Sequence, residues 1–120
     1  MGLFTVDEAR EALAEMLPTL DEIVVVRGQA AELAADLADA GGPTPHGGLP
    51  ELKGMHARLD ELMTDVQQSG AELKGFAPLL VDFPSEIDGV AVLLCWLEGD
   101  RELAWYHRED LGFAGRRPLA

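Results

Sequence analysis

The fold of this chain is decided by residues 81–118, which read VDFPSEIDGVAVLLCWLEGDRELAWYHREDLGFAGRRP. This stretch contains both tryptophans, the single tyrosine, the single cysteine and one of the three histidines. It also carries four of the nine basic residues, whereas the chain before it is acidic and rich in alanine and leucine. We therefore expect any functional site to lie within this stretch or where the helices cover it.

Short β-prone runs separated by turn residues predict a three-stranded antiparallel β-meander in this half of the chain. Pro84 is expected to end the first run, because proline cannot donate to a strand ladder. Turn signals at residues 87–89 and 98–101 separate the runs. A short fourth strand near Leu73 is an option, and residues 110–120 are expected to form an irregular tail. The three predicted strands are residues 79–83, 90–97 and 102–107.

The first predicted helix runs from Val6 to Ala40. Thr5 followed by Glu8 is the capping-box pattern of a helix start. Pro18 requires a bend or a restart, because its ring clashes with the carbonyl four residues earlier. Apolar residues recur at alternating spacings of three and four, which is typical of a helix packed on another helix. Unbroken, the helix would be about 50 Å long, so we expect part of it to pack on a second chain.

A second helix is predicted after a loop rich in glycine and proline. Pro50 suits a first helical turn, and Gly70 suits a C-terminal cap. The two helices then form a long antiparallel helical hairpin over residues 5–70, and the meander and tail follow over residues 71–120. The predicted fold class is thus α+β, and residues 1–120 are expected to be a single domain.

The register of the last hairpin decides which side chains share a face of the sheet. A tight turn after Leu97 would pair Cys95 with Ala104. His107 would then lie on the face of the sheet opposite to Cys95. A change of one residue in that turn would bring Cys95 and His107 together, because side chains alternate with a period of two.

Both faces of the predicted hairpin are apolar, which is unusual for a sheet with one face in water. Two helices can cover only one of these faces, so the other is predicted to be either a partner surface or a pocket. A homodimer is the commonest symmetric solution, and Trp96 and Trp105 are its predicted interface residues.

A metal hypothesis follows from the residue types in the same stretch. Asp82, Cys95, Glu102 and His107 are the ligand types that a zinc or iron site uses, and the predicted divalent-metal ligands are His107, Asp82 and Glu102. The alternative is a buried cysteine that behaves as a small apolar residue, beside a histidine satisfied by a nearby carboxylate such as Asp110.

A small-ligand pocket is the related hypothesis. Arg116 lies among flexible glycines and would grip an anionic group, or else Phe113 plugs the core while Arg116 pairs with surface acids. The residues predicted to line this pocket are Asp82, Trp96, Glu102, His107, Asp110 and Arg116.

The composition narrows the classes of partner. The formal net charge of −13 repels phosphate backbones and anionic lipids, so neither nucleic acid nor a membrane is an expected partner. A single cysteine excludes an internal disulfide and suits a reducing cytoplasm. There is no glycine-rich phosphate loop, GxSxG or HExxH motif, so the sequence points to no reaction and leaves open whether the protein is an enzyme.

Several short motifs together resemble those of the bacterial and archaeal family DUF2203, whose function is not characterised. The matching motifs are Phe4-Thr5, Leu17-Pro18, Leu73-Lys74, Leu80-Val81-Asp82-Phe83-Pro84, Leu94-Cys95-Trp96, Trp105-Tyr106-His107, Gly112-Phe113-Ala114-Gly115-Arg116 and Pro118. The family more often has Tyr-Trp-His at 105–107 and Gln at 117. The resemblance covers nearly the whole chain and implies a helical hairpin joined to a small sheet, with no established activity or cofactor.

Two functions remain from these observations. The first is a small acidic cytoplasmic module that acts by association, as a homodimer or with a protein partner. The second is a protein that binds a metal or a small anion at a site around His107, with an enzyme as one form of it.

Overall fold

The computed structural model describes residues 2–119, which form two long helices followed by an antiparallel sheet. Over these residues the fold class is α+β, as predicted, but the sheet has five strands rather than three. The strands lie in sequence order, and each pairs antiparallel with the next. The elements are α1 (Val6–Ala40), α2 (Leu49–Gln68), β1 (Glu72–Phe76), β2 (Leu79–Ile87), β3 (Val90–Leu97), β4 (Trp105–Arg108), a single 3-10 turn (Phe113–Gly115) and β5 (Arg117–Pro118).

The helix starts and stops follow the sequence closely. The capping box is confirmed, because the Thr5 amide donates to Glu8 Oε1 at 2.9 Å and the Glu8 amide donates to Thr5 Oγ1 at 3.0 Å. Helix α1 continues through Pro18 to Ala40, so the proline does not restart it. Over residues 2–119, neither helix is both long and apolar enough to cross a membrane.

Strand β2 runs past Pro84, where the sequence predicted its end. Strand β1 pairs with β2 only as far as Asp82, so Pro84 lies at a free edge, where proline is tolerated. The chain segment before α1 uses this edge instead. The Phe4 amide donates to the Pro84 carbonyl at 2.7 Å, and Ser85 Oγ donates to the Phe4 carbonyl at 2.6 Å.

The turn between β2 and β3 is the one that the sequence predicted. Asp88 and Gly89 both have positive φ, at 52° and 78°. A two-residue hairpin turn of type I′ requires this at both central positions, which is why Asp-Gly is a strong hairpin signal. The tight turn fixes the register of β2 on β3, and Asp82 lies opposite Cys95.

The register of β3 on β4 differs from the prediction by one residue. Cys95 pairs with Trp105 rather than Ala104, and Leu93 pairs with His107. The cause lies in the connection, which is a seven-residue loop from Glu98 to Ala104 and not a tight turn. A loop of this length does not impose a register, and side chains elsewhere must hold it.

Two contacts hold that loop. Leu103 is fully buried, and its carbonyl accepts hydrogen bonds from Arg10 of α1, with Nε at 3.3 Å and Nη2 at 3.2 Å. The Asp100 side chain binds the end of β3, where its Oδ2 accepts a hydrogen bond from the Leu97 amide at 2.9 Å. The tail after β4 is also more ordered than predicted, since it forms the 3-10 turn and β5, which pairs with β4.

The chain divides into two compact units, and the division cuts across both helices. The first unit takes in residues up to Met16 and those from Val66 onward. Its core is built by the start of α1 and the sheet, and Phe83 at its centre is fully buried in edge-to-face contact with Phe4, with ring centroids 5.3 Å apart. Other buried apolar residues of this unit include Ala9, Leu13, Met16, Val66, Ala71, Leu79, Val81, Val92, Leu93, Leu94, Trp96 and Leu103.

The second unit, Leu17–Asp65, contains most of the helical hairpin. Its buried apolar residues are Leu20, Ile23, Ala30, Leu33, Leu59 and Leu62. On its surface Arg58 forms a two-pronged ion pair with Glu22, with Nε 2.7 Å from Oε2 and Nη2 2.9 Å from Oε1. This hydrogen-bonded pair lowers the pKa of Glu22 and raises that of Arg58.

Candidate metal centre

Three neighbouring strands bring Asp82, Cys95 and His107 to one face of the sheet. Asp82 on β2 lies opposite Cys95 on β3, and opposed residues in an antiparallel pair point to the same side. His107 on β4 lies opposite Leu93, two residues before Cys95, and therefore shares that side as well. The one-residue shift in register is thus the event that assembles the cluster.

The three side chains meet in a buried space. Their exposed fractions are 1% for Asp82, 0% for Cys95 and 4% for His107. One potential ligand atom from each lies within 4.8 Å of the other two, and His107 Nε2 is 3.4 Å from Asp82 Oδ2. We call these three residues the Asp82–Cys95–His107 cluster.

The hydrogen-bond inventory of the cluster is incomplete. Within residues 2–119, Asp82 Oδ1 and His107 Nε2 are buried and have no hydrogen-bond partner. Nearly all buried polar atoms in native proteins are satisfied, because an unpaired one costs about 1–3 kcal/mol. Two such atoms in one cluster require either a proton shared between His107 and Asp82, which lie 3.4 Å apart, or an additional ligand.

The tautomer of His107 defines what kind of ligand that is. Its Nδ1 lies 3.1 Å from the carbonyl oxygen of Arg108, and because a carbonyl only accepts, we assign a proton to Nδ1. In the neutral ring, Nε2 then presents a lone pair towards the Asp82 carboxylate. Two acceptors that face each other at 3.4 Å need a cation between them, either a proton or a metal ion.

The Cys95 thiol is strongly held in its neutral form. Burial raises the pKa of Cys95 to about 12 from an ordinary value of 9.0, the charge of Asp82 and a hydrogen bond to it add to the rise, and Arg116 opposes it. The free thiol is therefore a poor nucleophile near neutral pH. A bound metal would change this, because it stabilises the thiolate directly.

Lys74 on β1 places a positive charge at the edge of the cluster. Its Nζ lies 3.4 Å from Asp82 Oδ2 and 3.1 Å from Glu72 Oε1. Partial burial would lower the pKa of Lys74, but the hydrogen bond to Glu72 and the charge of Asp82 outweigh it and raise the pKa. The Lys74 side chain is 44% exposed, so it reaches the cluster from the solvent side.

Arg116 covers the same face from the C-terminal segment. Its guanidinium lies 4.8 Å from the ring centre of Trp105 and 5.2 Å from that of Phe113. Because Trp105 is opposite Cys95 in the sheet, this stacking puts the arginine beside the cluster. Arg116 Nη2 is also bound to Asp100, which fixes the guanidinium at this position.

The structure separates the other predicted site residues from this cluster. Glu102 is exposed in the loop before β4, and Cys95 rather than Glu102 completes the group. Asp110 is also exposed and binds Arg108, with Nη2 2.8 Å from Oδ2, so the carboxylate nearest His107 is Asp82 and not Asp110.

The two predicted interface tryptophans lie in different environments. Trp96 points to the opposite face from Cys95, is 6% exposed and donates from Nε1 to the Asp100 carbonyl at 3.0 Å. Trp105 is half-buried on the cluster face. Sequence reasoning did not include Lys74 in the site, although its position in a strand that pairs with the Asp82 strand is the signal that could have found it.

Comparison with known protein families gives a match over nearly the whole chain. The family described as uncharacterized conserved protein (DUF2203) matches residues 2–119, and the chain belongs to this family. No curated protein and no solved structure matches the chain.

Proposed function

We propose that this protein binds a divalent transition metal ion at the Asp82–Cys95–His107 cluster. The observation that carries the proposal is the pair of buried, unpartnered atoms, Asp82 Oδ1 and His107 Nε2, beside the Cys95 thiol.

The donor set and its spacing fit zinc or ferrous iron. Carboxylate oxygen, thiolate sulfur and imidazole nitrogen are the ligands that these metals share. Zinc bonds of about 2.0 Å to nitrogen and oxygen place neighbouring tetrahedral ligands about 3.3 Å apart, and His107 Nε2 lies 3.4 Å from Asp82 Oδ2. The carbonyl of Arg108 orients the imidazole, as a metal-bound histidine requires.

The competing explanation is that a proton, together with Lys74, satisfies Asp82. Lys74 lies close enough to repel a metal ion at the cluster. However, its side chain is 44% exposed and already has Glu72 as an alternative partner at 3.1 Å, so it can leave Asp82 when a metal enters. A proton also leaves the Cys95 thiol with only its hydrogen bond to Asp82, whereas a metal bonds to the thiolate, the carboxylate and the imidazole together.

Calorimetric titration of the chelator-treated, untagged protein with Zn²⁺ tests the proposal. We expect one equivalent to bind, and we expect Cys95→Ser, His107→Gln and Asp82→Asn each to weaken binding by about 10-fold or more. The exposed His56 provides the control, because His56→Gln should retain full affinity. No binding by the folded wild-type protein would show that the cluster holds a proton instead, and equal binding by the cluster variants would show that the metal binds elsewhere on the protein.

Association as a homodimer stays a prediction beside this proposal. Val25 and Leu49, which are 57% and 62% exposed, are large apolar side chains available for such a contact. A cysteine that acts as a metal ligand suits a reducing compartment, so we propose a cytoplasmic location. The net charge of −13 supports partners other than nucleic acid.

A further inference from the structure

Arg116 has a hydrogen-bonding capacity that the protein does not use. One terminal nitrogen donates to Asp100, but Nε is buried and, among residues 2–119, has no hydrogen-bond partner. The side chain is only 16% exposed, and stacking between Trp105 and Phe113 holds its plane. A fixed, buried N–H donor of this kind is suited to bind an anion.

The position of Arg116 relates this donor to the metal cluster. Trp105, on which the guanidinium stacks, lies directly opposite Cys95 on the cluster face of the sheet. The unpartnered Arg116 Nε and the unpartnered atoms of Asp82 and His107 therefore lie on the same side of the sheet.

We propose that the metal-loaded cluster takes a small carboxylate as an additional ligand, and that Arg116 Nε donates a hydrogen bond to it. This inference rests on the proposed metal site. The three cluster donors leave at least one coordination position for an external ligand, because zinc prefers four. The near-complete burial of Asp82, Cys95 and His107 limits that ligand to a small molecule.

The charges of the site select a monoanion and an order of binding. A divalent ion, the Asp82 carboxylate and the Cys95 thiolate sum to zero, and Arg116 is neutralised by Asp100. Lys74, released from Asp82, is neutralised by Glu72. A carboxylate therefore adds one uncompensated negative charge to the site and a phosphate dianion adds two, so the monoanion binds more easily. Without the metal, the Asp82 carboxylate repels an anion, so the anion binds only after the metal.

Cobalt substitution provides the measurement, because Co²⁺ reports changes in its ligands through its visible absorption. The Co²⁺-loaded protein is titrated with acetate, and separately with phosphate, at constant ionic strength. We expect acetate to shift the visible bands with saturation and phosphate to bind more weakly. If acetate produces no shift, or if phosphate binds more tightly than acetate, the proposal is wrong.

Variants of the arginine test its role. Arg116→Gln should weaken acetate binding by about 10-fold or more while it leaves Co²⁺ affinity nearly unchanged. Arg116→Lys keeps the charge without the Nε donor and should also weaken acetate binding, so it provides the test if Arg116→Gln does not fold. Arg117→Gln is the matched control, because Arg117 is exposed in the same segment.

The outcomes separate the two proposals. If Co²⁺ does not bind, the metal site itself is wrong. If Co²⁺ binds but both Arg116 variants bind acetate as tightly as the wild type, the metal site stands and the anion site is wrong.

Discussion

Replacement of Cys95 with alanine should remove a measurable part of the chain's sensitivity to alkaline pH. Cys95 has a pKa of about 12 in the folded protein, against an ordinary value of 9.0. Because the folded state holds this proton more tightly than the unfolded state, the thiol contributes stability below about pH 9, and that contribution falls as the pH rises towards 12. Complete loss corresponds to about 4 kcal/mol, at about 1.4 kcal/mol for each unit of pKa.

The effect is large enough to measure well below pH 12. Between about pH 8 and about pH 10, the cysteine alone should lower the free energy of unfolding by about 1.4 kcal/mol. Urea unfolding at these two pH values, with a chelator present to exclude metals, gives the change for each variant. Other groups titrate in the same range, but they do so in both proteins, so the difference between wild type and Cys95→Ala isolates the thiol.

A control separates ionisation from lost packing. Leu93 is 5% exposed on the same strand and does not titrate, so Leu93→Ala should lower stability at both pH values but keep the wild-type pH dependence. If Cys95→Ala loses as much stability as the wild type between the two pH values, the thiol ionises as it would in water. The cluster would then be open to solvent, contrary to the structure.

Three further predictions follow from the fold. Phe83→Ala should lower the free energy of unfolding by about 3–5 kcal/mol in urea denaturation, because Phe83 is fully buried against Phe4, and a loss below about 1 kcal/mol would contradict its place in the core. By the same assay, Gly89→Ala should cost about 1–2 kcal/mol because φ is 78°, whereas Gly28→Ala inside α1 should be neutral or stabilising, and similar effects at both positions would argue against the turn. Light scattering should give about twice the monomer mass of 12.9 kDa if the chain is a homodimer, and a monomer at micromolar concentration would end that prediction.

The elements that could be predicted are those specified by neighbouring residues. The capping box of Thr5 and Glu8, the breaker loop after Ala40 and the turn at Asp88 and Gly89 all depend on local backbone chemistry. The helices and β3 followed from these signals and from the spacing of apolar residues. Membership of the family followed from the short motifs along the chain. Asp82 and His107 were also named as candidate ligands, because their residue types suffice to suggest a metal.

The sequence by itself therefore determined the α+β class, the helix bounds and the residue types of the site. The tertiary structure alone decided that Cys95, and not Glu102, joins Asp82 and His107, because a seven-residue loop imposes no register on its strands. That register depends on distant contacts, such as the bond from Arg10 to the Leu103 carbonyl across 93 residues of chain. A shift of one residue moves every side chain of β4 to the other face, so the site exists only in the register that these contacts select.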